Sequence, residues 1–265
     1  MSKKENREII QSYILTSAKY DFTIDEKKVL SHLIEMMQPL IEGKKLKGHV
    51  SQDLWGTYHF TLPTSFFLDD EGIKYGRIKD AIRGLNEKKF EFEDEEGWRI
   101  IRLIEMPYLK KRGEVEFYLS KPLVDVFLNF TKGYSKYMLD VSLSLKSVYA
   151  MRLYELIANQ KRTLTFRISK LKEMWDIKGK AYDRNYNFIK RVIDVAKKEL
   201  DEKANWSFTY NLIKKGRAFE SIEFTPIHYT QRESEEVTRA EAVRMVNLSF
   251  FVDREIKLYL TNTCG

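Results

Sequence analysis

One order of elements is written into this chain twice. In the first half, apolar residues at Val29, Leu30, Leu33, Ile34, Met37 and Leu40–Ile41 recur at helical spacing. That predicts a helix from Asp25 to Ile41 capped by Thr23 or Asp25. After a basic loop, Gly43 to Gly48, the alternation of Tyr58, Phe60 and Leu62 with His59 and Thr61 predicts a short strand. Thr64 caps a short helix through Phe67, and Gly72 breaks the chain. A second helix then runs from about Lys74 to Lys88 on a core stripe of Tyr75, Ile78, Ile82 and Leu85. Strands follow at Phe90 to Phe92, Arg99 to Leu109 and Glu114 to Leu119, with turns at Asp94 to Gly97 and Lys110 to Gly113.

The second half repeats this order. A long helix is expected from Leu143 to Asn159, then a strand carrying Leu164, Phe166 and Ile168. Ser169 caps a short helix, Leu171 to Trp175, and Gly179 breaks it. A longer helix runs from about Asp183 to Lys203 on the stripe Tyr182, Tyr186, Ile189, Ile193, Ala196 and Leu200. Two strands, Ser207 to Ile213 and Ser221 to Phe224, are joined by the turn Lys214-Lys215-Gly216-Arg217. Letter by letter the echo is weak; the shared order is the stronger sign of an internal duplication. The expected fold class is therefore α+β, with two tandem winged-helix domains, each a helix-turn-helix followed by a β-hairpin.

Composition fits that picture. A chain of 265 residues, 43% hydrophobic and with only 12 Gly and 5 Pro, has material for two ordinary cores. We expect domains at 1–132 and 133–230, with a partly helical tail at 231–265. The net charge of +7 favours a polyanionic partner, nucleic acid or an anionic membrane. No apolar run approaches the ~18 residues of a membrane span, and no signal-peptide core follows the charged start. The single cysteine, Cys264, forms no internal disulfide and fits a cytoplasmic setting.

In a winged helix-turn-helix the second helix enters the major groove. On the helix from Asp183, the face opposite the core stripe carries Arg184, Asn187, Arg191 and Lys198, with Lys180 just before it and Lys190 beside Arg191. Arg reads guanine and Asn reads adenine, each through two hydrogen bonds. The first half offers Lys74, Arg77, Lys79 and Arg83, but Asp80 and Glu87 share that face and repel phosphate. The second half is therefore expected to read bases and the first to hold the backbone. The turns supply further phosphate contacts: Lys214, Lys215 and Arg217 in the second half, Lys110, Lys111 and Arg112 in the first. The acidic stretch Glu91 to Glu96 suits a solvated turn or a protein partner. No phosphate-binding loop is present, and His32, His49, His59 and His228 lack metal-ligand spacing, so no enzyme, metal or cofactor is expected.

The run Lys146-Ser147-Val148-Tyr149-Ala150-Met151-Arg152-Leu153-Tyr154-Glu155-Leu156 resembles the Ser-x-Tyr-Ala-x-Arg-Leu-Tyr-Glu-Leu signature of the Rep3 family of iteron-binding plasmid replication initiators. The resemblance extends over about Asn6 to Ile227 and leaves the tail outside. It implies two winged-helix domains related by pseudo-twofold symmetry. It also implies a bacterial, plasmid-encoded protein. As a monomer it would bind double-stranded DNA at repeated iterons in the origin, help melt an AT-rich region and recruit the host initiator and replicative helicase. As a homodimer in equilibrium with the monomer it would bind an operator inverted repeat, repress its own gene and serve plasmid copy control. In that family the signature helix lies at the domain junction, which implies structural and switching roles for Tyr149, Arg152 and Tyr154. A winged-helix transcriptional regulator and, further off, an origin-nicking enzyme are the competing readings.

Overall fold

The computed structural model describes residues 7–46, 49–67, 75–94 and 97–232. The expected Gly72 break, Lys74, the end of the loop at Lys47-Gly48, the tip of the acidic turn at Glu95-Glu96 and the tail helix lie outside them. The chain opens with β1 (Glu8–Ser12) and α1 (Tyr13–Ser17), then α2 (Ile24–Ile41). Strands β2 (Val50–Gln52) and β3 (Tyr58–Pro63) lead into a 3-10 turn, Thr64–Phe67. Helix α3 (Tyr75–Glu87) is followed by β4 (Lys89–Asp94), β5 (Gly97–Arg102), β6 (Glu105–Leu109) and β7 (Glu114–Leu119). Then come α4 (Lys121–Phe127), β8 (Tyr134–Met138), α5 (Leu139–Ser144) and α6 (Val148–Ile157). The remainder holds β9 (Leu164–Arg167), α7 (Ile168–Met174), a 3-10 turn (Lys180–Tyr182) and α8 (Asn185–Phe188). A π-helical segment (Ile189–Ile193) joins α8 to α9 (Asp194–Lys203), and β10 (Trp206–Lys215) and β11 (Ala218–His228) close the fold.

The duplication is real at the level of topology. In the second unit β10-β11-β9 form one antiparallel sheet, and in the first β6-β7-β3 pair in the same order, with β2 added at the edge. Each unit thus places a helix-turn-helix against a sheet whose last hairpin is a wing. The cores match too: Phe60 stacks on Phe117 across β3 and β7 at 5.0 Å, and Phe208 meets Phe224 edge-on at 5.1 Å. Helix α2 begins as expected. Thr23 accepts from the Glu26 N–H, and the Glu26 carboxylate accepts from the Thr23 N–H at 2.7 Å, a reciprocal cap. Glu26 is also what brings α3 close. Lys88 donates to it at 3.0 Å, and a Cβ on Gly84 would sit 1.8 Å from its Oε1, so a larger residue there must push the Glu26 carboxylate aside.

Several sequence expectations give way to tertiary context. The strand expected from Arg99 to Leu109 is two strands in different sheets, because β4 and β5 form a separate hairpin inserted between α3 and the wing. Buried Leu103 and Ile104 make the step between them. The helix expected from Leu143 to Asn159 breaks into α5 and α6; Leu145 is extended, and Ser147 restarts the chain by capping the Ala150 N–H. Ile168 opens α7 instead of ending a strand, so Ser169 lies inside that helix and its cap position is Arg167. Thr64 donates to the Gly113 carbonyl at 3.0 Å, tying the short turn to the first wing.

The stripe of the longer helix is also shifted. Tyr182 precedes that helix in the 3-10 turn, and Tyr186 is 59% exposed. Phe188, Ile189, Val192, Ile193, Ala196 and Leu200 are the buried residues. Ile189, Ile193, Ala196 and Leu200 hold their expected buried places, and the first two positions, Tyr182 and Tyr186, do not. Gly179, at φ 106°, and the 3-10 turn delay the helix to Asn185, and the π segment then slips the frame.

The two units are joined through the first residues of the chain. Strand β1 pairs antiparallel with β8, Glu8 opposite Met138 and Ser12 opposite Tyr134. Arg7 donates to both Glu35 and Asp140 at 2.8 Å. Burial pushes the Glu35 carboxyl up, but hydrogen bonds from His32 and Arg7 and their charges outweigh it, so Glu35 titrates below its ordinary value. A carboxyl depressed by folding contributes stability above its unfolded pKa and loses it as pH falls through the folded value. Glu35→Gln should therefore lower the urea midpoint at pH 7 and narrow the wild-type gap between pH 7 and pH values below ~4.

Candidate DNA interface

The start of the long helix 185–203 is held from two sides. Lys172 on α7 donates to the Tyr182 carbonyl at 2.6 Å and to Asn185 Oδ1 at 2.8 Å. Asn185 in turn donates to the Phe219 carbonyl of β11 at 2.6 Å. Helix-turn-helix and wing are thus locked together through Lys172 and Asn185, two residues the sequence pattern did not single out. A lysine on the short helix and an asparagine opening the long one look like ordinary solvated polar residues when read alone.

The expected base-reading residues lie around this locked start. Lys180 sits in the 3-10 turn, Arg184 at the N-cap of α8, Asn187 within α8, Lys190 and Arg191 in the π segment and Lys198 on α9. They do not form the regular i, i+3, i+7 face expected from a helix beginning at Asp183. Arg184 has extended backbone, φ −77° and ψ 123°, and the π segment intervenes before Arg191. The Asn187 amide also donates to the Ala181 carbonyl at 3.1 Å, which occupies one of the donors a base would need. Lys190 pairs with Asp194 at 2.7 Å, and Tyr210 donates to the same carboxylate at 2.5 Å. Burial raises the Asp194 pKa, yet these two hydrogen bonds outweigh it and hold the group below the usual range.

Charge pairing separates the two units. On α3, Arg77 makes a two-pronged contact with Asp25 at 2.9 and 2.7 Å, and Arg83 reaches Asp80 at 3.1 Å. At the first wing, Lys110 lies 3.4 Å from Glu114 and 2.5 Å from Glu116, and Arg112 reaches Glu114 at 2.8 Å. Only Lys79 and Lys111 of the first unit's expected contacts lack a carboxylate partner among the described residues. In the second unit Lys180, Arg184, Arg191 and Arg217 are exposed or at turns with no such partner. Lys214 lies over the Phe219 ring at 5.3 Å, and Lys215 is 3.6 Å from Glu220. A cation already paired must exchange a carboxylate for a phosphate, whereas a free one gains the phosphate outright.

The geometry of two winged helices meets a sharper finding in family comparison. Residues 8–158 match the family model described as Initiator Replication protein, WH1, and residues 167–226 match Initiator Rep protein, WH2. This chain belongs to the Rep3 initiator replication family. Its fold is also that of a solved structure titled "Crystal structure of Pi initiator protein in complex with iteron DNA". The two share a TM-score of 0.61 at 14% identity, over 84% of this chain and 97% of that one. Within the Rep3 chain, WH1 then corresponds to the unit built on α2, α3 and the β6–β7 wing. WH2 corresponds to the unit built on α7, the long helix and the β10–β11 wing. No helix among the described residues is long and apolar enough to cross a membrane. No cluster of three His, Cys, Asp or Glu among them is placed to hold a metal ion.

Proposed function

We propose that this protein is a plasmid replication initiator that binds double-stranded DNA at repeated iterons, with WH2 reading bases and WH1 contacting the backbone. The observation that carries this reading is the unequal charge pairing. Among the described residues, WH2 presents Arg184 and Arg191 without a carboxylate partner at the leading half of its recognition helix and Arg217 likewise at its wing, with Lys190, Lys198 and Lys215 paired; in WH1 Arg77, Arg83, Lys110 and Arg112 are paired and Lys79 and Lys111 are not. Lys180, Arg184, Asn187, Lys190, Arg191 and Lys198 belong to the base-reading side. Lys214, Lys215 and Arg217, with Lys79 and Lys111, belong to the phosphate-contacting side. Opening of an AT-rich region, recruitment of the host initiator and helicase, and autorepression by a homodimer complete the proposal. They rest on family membership alone, as does a cytoplasmic setting.

The test is replication in trans. A plasmid carrying the DNA that flanks this gene, and no other origin, should be maintained only in cells supplying the protein. If the protein binds that DNA but never supports maintenance, it is a transcriptional regulator. A covalent adduct on supercoiled origin DNA would make it a nicking enzyme. Phosphate contact has its own readout. The binding constant should fall steeply with salt, by a log–log slope of about 0.9 per neutralised phosphate. Lys214→Ala with Arg217→Ala should reduce that slope by about 2 and weaken specific and scrambled duplexes alike.

A further inference from the structure

Tyr186 is the least expected residue on the long helix. Its spacing assigned it to the core, yet it is 59% exposed, while Tyr137 and Tyr154 are completely enclosed. It is the second residue of α8, two positions past the unpaired Arg184 and one turn before Lys190. Its neighbour Asn185 is pinned to the wing strand, so the backbone that carries the ring is fixed. The Tyr186 hydroxyl makes no hydrogen bond among the described residues, and the Lys190 ammonium lies near enough to feel its charge. A large, rigid aromatic group is therefore presented in the leading turn of the helix, where winged-helix proteins approach base edges.

Thymine is the one base that shows an apolar group, its C5 methyl, in the major groove. We infer that Tyr186 is a specificity-determining residue whose ring packs on the C5 methyl of one thymine in each bound repeat. This inference rests on the assignment of helix 185–203 to the major groove. It goes beyond that assignment by adding an apolar reader to a face otherwise made of hydrogen-bond donors. Burial of one methyl contributes about a fourfold preference for thymine over deoxyuridine. The hydroxyl is not required for that contact.

The experiment uses the full chain and a duplex carrying one protected repeat, with each thymine replaced in turn by deoxyuridine, which removes only the methyl. Wild-type protein should lose about fourfold affinity at one thymine. Tyr186→Ala should bind the unmodified duplex about fourfold more weakly and show no loss at that same thymine. Tyr186→Phe should behave as wild type. Because the side chain is exposed, neither substitution disturbs the core, and an unchanged urea midpoint checks this. The inference is overturned if Tyr186→Ala keeps the wild-type response at every thymine. It is also overturned if Tyr186→Phe weakens all duplexes equally, which would make the residue a phosphate contact. Failure of the underlying helix assignment looks different: Arg184→Ala and Arg191→Ala would then leave the preference for the repeat over a scrambled duplex intact.

Discussion

Lys27→Met should destabilise the folded protein by about 3–5 kcal/mol, read as a drop in the urea midpoint at unchanged slope. Lys27 on α2 and Glu155 on α6 meet at 2.6 Å with side chains 4% and 2% exposed. Burial pulls the Lys27 ammonium below its ordinary pKa, and the Glu155 carboxylate partly offsets that. Removing the lysine leaves a buried carboxylate that, among the described residues, keeps the Gln11 amide at 3.3 Å and the charge of Arg152 but loses its closest partner. Lys27→Met combined with Glu155→Leu removes both charges and should recover most of the loss, since a buried pair replaced by apolar groups is often close to neutral. The pair sits in a wider polar seam. Arg152 donates to the Tyr20 and Ala18 carbonyls at 2.8 Å each, and the Tyr154 hydroxyl donates to Asn205 at 2.6 Å. The Tyr137 hydroxyl donates to Gln11 at 2.9 Å. This seam holds the signature helix α6, the last helix of the residues matched to WH1, against the first turns of the chain. Arg152 and Tyr154 thus make buried contacts in this seam, and Tyr149 lies at its rim, 5.8 Å from Trp175.

The second large effect belongs to the interface. Arg191→Ala should cost about 1–3 kcal/mol of discrimination between the cognate repeat and a scrambled duplex, roughly a five- to 150-fold loss of preference. Its exposed guanidinium has no carboxylate partner among the described residues, so the loss falls on DNA binding and not on the fold. Arg83→Ala on the corresponding helix of WH1 should change the preference by less than a factor of about 2, because Arg83 is held by Asp80 and its site is assigned to backbone contact. Fluorescence anisotropy at one fixed salt concentration, on matched cognate and scrambled duplexes, measures both.

The order of elements was legible because each unit writes its helices and strands in distinct periods: α2 in a helical stripe closed by a Thr23 cap, β3 in strict alternation. The breaks were less so. The break between Leu143 and Val148 has one local sign, the Ser147 cap, and a tertiary one that sequence does not show: Glu199 on α9 accepts from the Lys146 and Ser147 N–H groups at 2.6 and 3.0 Å. The β4–β5 hairpin likewise depends on a partition between sheets that no run of apolar residues encodes. At the interface, the identity of the cations could be read from sequence, but their pairing could not. Asp25 lies 52 positions from Arg77, and it is the packing of α2 on α3 that brings them together. The late helix start and the π segment are the costliest omissions, because a wheel drawn at one fixed angle from Asp183 put Tyr186 inside and Arg184, Asn187 and Arg191 in one row.

Footprinting of the full chain on the DNA flanking its own gene tests the central claim most directly. Regularly spaced, directly repeated protections are expected, lost with Arg191→Ala and Arg184→Ala at protein concentrations where the wild type gives full protection. Uniform or absent protection by the wild type, or a footprint unchanged in both variants, would contradict sequence reading by WH2.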